Sequence, residues 1–143
     1  MDTERRAFIK KTCGLCASIV GISVLASALE GCASLIYVKP ELVKGVLKVP
    51  LGSFVENSKL VIVRNAVLDY DIALVKSGDN TFRSFELKCT HQDNALVATS
   101  TGFFCTLHGS SFRIDGTVNV APATANLKEY KTMVNGELVE IIL

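Results

Sequence analysis

The chain has no tryptophan, three prolines and only two histidines in 143 residues, and aromatic side chains make up 7% of it. An excess of one charge is also missing. Four of the fifteen Lys and Arg (Arg5, Arg6, Lys10, Lys11) crowd the N-terminus, and from residue 32 onward eleven basic residues meet eleven acidic ones without a run of either sign. That balance leaves no electrostatic footprint for nucleic acid. No window after residue 33 keeps apolar residues at helical spacing across three turns, which argues against a helical domain. The absence of internal repeats and low-complexity segments removes solenoids and arrays. Thiols are scarce where a fold is expected. Of five cysteines, Cys13, Cys16 and Cys32 lie in the first 32 residues, leaving only Cys89 and Cys105 beyond.

What is present divides the chain in three. With 49% apolar and 20% charged side chains, it suits one small globular domain preceded by a targeting segment. Residues 1–32 read as that segment: the basic start ERRAFIKK leads into an uncharged apolar stretch, Thr12 to Leu29, closed by Glu30, Gly31 and Cys32. The run Arg5-Arg6-Ala7-Phe8-Ile9-Lys10 resembles the twin-arginine (Tat) signal, whose translocon exports proteins already folded around a cofactor. Leu29-Glu30-Gly31-Cys32 resembles a lipoprotein cleavage box, with Glu30 a departure from it. A lipid on Cys32 and an uncleaved helix of about eighteen apolar residues both stay open, since a span needs roughly 17–25 residues. Either tethers the domain to the bacterial inner membrane on the periplasmic side; the remaining alternative is a soluble periplasmic protein cleaved elsewhere.

Residues 33–45, with Pro40 and Gly45, show neither period and read as a tether, so that the domain spans 46–143. From there short β-rich runs alternate with turn residues: Val46 to Pro50, Lys59 to Arg64, Asp71 to Lys76, Thr81 to Lys88, Ala95 to Thr99, Gly102 to Cys105 and a last run, Glu137 to Leu143. Ser77-Gly78-Asp79-Asn80 supplies a hairpin turn, and Asp115-Gly116 and Asn135-Gly136 are dipeptides that favour tight turns. The fold class expected is all-β, with antiparallel sheet.

Both histidines of the chain stand beside the two remaining cysteines, as Cys89-Thr90-His91 and Cys105-Thr106-Leu107-His108. Each pair follows a β run, so two hairpin tips would face each other. Two thiolates and two imidazoles satisfy a 2Fe-2S site in which histidines replace two cysteines on one iron. The same four residues also suit a tetrahedral structural zinc, and sequence alone leaves the metal open. Against zinc, Cys-x-His is tighter than ordinary zinc-finger spacing. A Cys–His nucleophile and base needs one pair and leaves the other unexplained.

Over residues 84–132 the chain resembles the Rieske family. The likeness rests on the Cys-Thr-His start, the Cys-x-x-His-Gly-Ser second half, the Asp115-Gly116 turn and Ala121-Pro122-Ala123, where the family often has a Gly-Pro loop over the cluster. It implies an antiparallel β sandwich with a small cluster-binding subdomain of two hairpin loops, and one 2Fe-2S cluster. Cys89 and Cys105 would hold the buried iron, and His91 and His108 the outer one near solvent. Ser110 matches the serine whose hydroxyl donates to a cluster sulfur. The imidazoles would be the electron's exit, with electron and proton transfer linked.

Three departures qualify the likeness. Asn94 and Leu107 occupy the positions of a disulfide found in the Rieske proteins of quinol-oxidising complexes, a pattern of the ferredoxin-like and oxygenase-associated branches. Phe112 replaces a tyrosine that often gives a second bond to sulfur, which implies a potential in the lower half of roughly −150 to +300 mV. The interval 92–104 is short for the family and implies a clipped hairpin, still able to pair through Ser100-Thr101. Phe103, Phe104 and Phe112 read as simple core, and Asp69, Tyr70 and Asp71 as a solvated loop. The expectation is an electron-transfer protein or the small iron-sulfur subunit of an oxidoreductase, of which the arsenite-oxidase small subunit is one example, rather than a self-contained enzyme. Its redox partner is not encoded in any visible motif.

Overall fold

Residues 35–55 and 58–143 are described by the computed structural model; the expected export signal and Cys32 lie outside them. In chain order the strands are β1 (Ile36–Val38), β2 (Leu42–Val43), β3 (Val46–Pro50), β4 (Leu60–Val63), β5 (Ile72–Gly78) and β6 (Thr81–Glu86), then β7 (Val97–Thr99), β8 (Gly102–Phe104), β9 (Ser111–Arg113), β10 (Val118–Val120), β11 (Glu129–Asn135) and β12 (Leu138–Ile142). A single 3-10 turn, Leu51–Ser53, is the one helical element among the described residues. The all-β expectation holds. No helix among these residues is long and apolar enough to cross a membrane.

Two apolar runs organise the fold. Leu60-Val61-Ile62-Val63 and Ile72-Ala73-Leu74-Val75 are continuous rather than alternating, and all eight residues are buried. Successive strand side chains point to opposite faces, so β4 and β5 must be covered on both. Val61, Val63, Ile72 and Leu74 pack against Leu47, Val49, Val139 and Ile141 of β3 and β12. Leu60, Ile62, Ala73 and Val75 share the second core with Leu96, Phe103, Phe112, Cys89 and Cys105. Eight strands run in the order β1-β4-β5-β6-β11-β12-β3-β2, and four more form a second sheet, β10-β9-β8-β7. The larger sheet turns its corner at β11, whose Glu129 and Tyr130 pair with β6 while residues 131–135 pair with β12.

The segment expected as a tether, 33–45, is described from residue 35, and there it is not bare chain. Ile36–Val38 pairs in parallel with Val61–Val63, and Leu42–Val43 folds back on Val46–Leu47. Gly45, read as a chain breaker, is half of a two-residue turn in which Lys44 (φ 52°) and Gly45 (φ 79°) both take the left-handed conformation such hairpins need. The parallel pairing is with a strand over twenty residues away, which no local pattern signals. The Asn135-Gly136 turn forms one place later than expected: Asn135 still pairs with Leu138, and Gly136 (φ 59°) and Glu137 make the loop. At the Asp115-Gly116 turn, the Thr117 N–H and hydroxyl donate to the Asp115 carboxylate at 3.0 and 2.6 Å. Gly116 (φ 81°) lies so close to the buried Phe85 ring that an added Cβ would meet it at 2.7 Å.

Candidate metal centre

The two cysteines sit at the starts of two loops closed in the same way. The Cys89 N–H donates to the Asn94 carbonyl at 2.8 Å, and the Cys105 N–H donates to the Ser110 carbonyl, also at 2.8 Å. Strand β6 delivers the first loop, held at its base by Leu87 N–H on Asp71 O and Leu96 N–H on Leu87 O. Strands β8 and β9 flank the second, which turns through Gly109 at φ 81°. Strands β7 and β8 pair across Ser100-Thr101, with Thr99 opposite Gly102, so the shortened hairpin is intact.

Within this frame the four residues form two pairs. Cys89 and Cys105 are both buried and unbridged. His91 and His108 are exposed, their ring centroids 5.1 Å apart and their planes nearly perpendicular at 85°. Burial pushes the Cys105 thiol up, but the Leu107 N–H, the Asn94 amide, the Cys89 thiol and the His108 N–H converge on it and bring it below its ordinary value. A sulfur so surrounded favours the thiolate, the form that binds metal. Two buried sulfurs beneath two exposed imidazoles fit the ligand split of a 2Fe-2S group. Among the described residues no three His, Cys, Asp or Glu side chains group as on a single ion.

Ser110 is fully buried, and its oxygen accepts the Ala123 N–H at 3.0 Å. A hydroxyl also donates once, and the Ser110 proton has no protein acceptor among the described residues. Ala121-Pro122-Ala123, with a cis bond at Pro122, belongs to a third loop that touches both others. Thr90 at the first loop donates to the Ala125 carbonyl at 2.6 Å, and Ser110 at the second holds Ala123. Of the three aromatic residues read as core, Phe103 and Phe112 pair directly and are buried, whereas Phe104 points outward and is exposed. Asp71 is more than a solvated loop residue, since it takes a two-point contact from Arg64.

Asn94, Thr90 and Ala123 were not among the expected site residues. Asn94 stood out in the sequence only as the position of a missing disulfide partner, yet its amide lies 3.5 Å from the Cys105 sulfur. Thr90 and Ala123 lie inside the motifs that carry the family likeness, but nothing in the sequence signals the bonds they make to Ala125 and Ser110.

The Rieske [2Fe-2S] domain model matches residues 48–131. The chain belongs to this family. A cytochrome b6-f complex iron-sulfur subunit from Chlorobaculum thiosulfatiphilum is 25% identical to this Rieske protein over 147 residues, covering 99% of this chain and 76% of that one. Among solved structures, the plasma membrane Rieske protein of Synechocystis PCC 6803 superposes with a TM-score of 0.57 at 21% identity, over 68% of this chain and 99% of that one. A chain in the complex of reduced oxygenase and oxidized ferredoxin of carbazole 1,9a-dioxygenase gives 0.52 at 22%, over 70% and 94%. These two likenesses are of fold. Family membership makes the 2Fe-2S cluster the cofactor, and the zinc reading gives way.

Proposed function

We propose that this Rieske protein transfers single electrons as the small iron-sulfur subunit of a membrane oxidoreductase, or as a carrier tethered beside one, on the periplasmic side of the membrane. In this reading Cys89 and Cys105 hold one iron, His91 and His108 hold the other, and Ser110 donates to a cluster sulfur. The observation that carries it is the separation of the two pairs, thiols buried and imidazoles exposed. Bound there, a 2Fe-2S group supplies a one-electron couple, in Rieske centres within roughly −150 to +300 mV. The protein's part is to bury the sulfur side under Phe103 and Phe112 and to present the two imidazoles where a partner can approach.

The likeness to the Chlorobaculum subunit runs through nearly the whole chain, N-terminal segment included, and favours a complex subunit over a free carrier. The twin arginines and the apolar stretch before Cys32 support Tat export and a membrane anchor. Electron paramagnetic resonance of the dithionite-reduced protein, with metal analysis of the same sample, tests the centre: two irons per chain and a Rieske signal are expected, and one zinc with no signal would refute it. Solubilised membranes carrying the full chain test the rest. Copurification of a larger redox subunit is expected, and recovery of the protein alone in the soluble periplasmic fraction would overturn the tethered-subunit reading.

A further inference from the structure

We propose that Asn94 is a tuning residue for the cluster, its side-chain amide donating to the Cys105 sulfur and raising the reduction potential. The inference rests on Cys105 being an iron ligand. Asn94 is half-buried, and its main chain is fixed by the Cys89 N–H on its carbonyl and by the Lys88–Ala95 bridge beside it. Its amide nitrogen faces two groups, the Ala95 carbonyl at 3.1 Å and the Cys105 sulfur at 3.5 Å. Both are acceptors, so only the nitrogen can point there; a flipped amide would set its oxygen against the Ala95 oxygen.

The two hydrogens of one amide thus serve a local carbonyl and a thiolate eleven residues away on the other loop. A coordinated thiolate keeps lone pairs that accept such a bond, and the bond strengthens as the cluster gains negative charge. Hydrogen bonds to the sulfurs are among the determinants of iron–sulfur potentials. Asn94 therefore does by hydrogen bonding what Phe112, which has no hydroxyl, does not. It also joins the two loops without a covalent bridge.

The test is a redox titration of the intact, iron-loaded protein monitored by electron paramagnetic resonance, comparing wild type with Asn94→Leu, Asn94→Ala and Gln92→Leu. Both Asn94 variants keep the main-chain bond from Cys89 and lose the donor. Each is expected to shift the reduction equilibrium about tenfold toward the oxidised form, which for one electron is a fall of about 59 mV. Gln92→Leu, exposed on the same loop, is expected to leave the midpoint in place. An unchanged midpoint in Asn94 variants that retain two irons and the Rieske signal overturns the proposal, as does an equal fall in Gln92→Leu. Loss of iron from both Asn94 variants, with the β circular dichroism intact, would replace tuning by an assembly role and overturns it too. Failure of the wild type to show the signal would instead sink the ligand assignment.

Discussion

Ser110→Ala removes one oxygen atom and two interactions. The lost acceptor leaves the Ala123 N–H without a partner, and Ala123 is only 3% exposed, so water cannot readily replace the bond of 3.0 Å. An orphaned buried donor costs about 1–3 kcal/mol. With a urea m-value of about 2 kcal/mol/M, the unfolding midpoint of the iron-loaded protein should fall by roughly 0.5–1.5 M with m unchanged. The second loss, on the proposed reading, is the hydroxyl proton that Ser110 would offer to a cluster sulfur. Its removal should lower the reduction potential by the order of 59 mV, a tenfold change in the couple, while the Rieske spectrum persists. Ser110→Thr keeps the hydroxyl and should keep most of the potential. The stability and potential arms are separable. An unaltered urea midpoint would mean that the loop 121–126 does not depend on Ser110. A potential that stays the same or rises would mean that the hydroxyl proton does not point at the sulfur.

His108→Ala should abolish the Rieske signal while leaving the β fold, because the exposed imidazole contributes nothing to the core; an intact signal would refute its assignment as ligand. Gly116→Ala forces a methyl to 2.7 Å from the Phe85 ring at a φ of 81° and should destabilise by about 1–3 kcal/mol, read by chemical denaturation; a loss below measurement error would contradict the packing described for that turn. Arg83, donating to Glu129 at 2.6 and 2.8 Å, holds the Glu129 carboxyl below its ordinary 4.5. A carboxyl depressed in the folded state stabilises above its unfolded pKa, and that contribution is lost as pH falls through the folded value. Both side chains are more than a third exposed, which limits the contribution to about 0.5 kcal/mol. Glu129→Gln should therefore weaken the protein slightly at about pH 7 and not at about pH 3; an equal loss at both would point to packing instead.

Much of the larger sheet was legible because its strands are written as apolar runs bounded by turn residues. Val46–Pro50 begins and ends as expected, and β4 and β5 differ from expectation by one or two residues at their ends. Three kinds of strand escaped. Strands β9 and β10 have three residues each, too few for a period to show, and β11 carries no continuous apolar run, EYKTMVN being wet along one whole side. The pairing of β1 depends on β4, a partner that local sequence cannot announce. At the centre, rarity did the work: two histidines beside the only two thiols of the domain are hard to miss. The bonds that tie the loops together were illegible, since Thr90 to Ala125, Ser110 to Ala123 and Asn94 to Cys105 join residues 35, 13 and 11 apart through side-chain reach. Glycine at 116 was readable as a turn but not as the place where Phe85 needs the room.

The third loop, laced to the first by Thr90 and to the second by Ser110, bears on the speed of electron transfer. Electron transfer between proteins slows when nuclei must move as charge arrives. A cradle whose two halves are each closed by a main-chain bond and cross-tied through a common strap resists changes in the spacing of its two loops. With the cluster held as proposed, such a frame would keep the protein's share of the reorganisation energy low. On the proposed ligand assignment, exchange with a partner becomes a matter of how closely it can bring its own redox centre to the rings of His91 and His108.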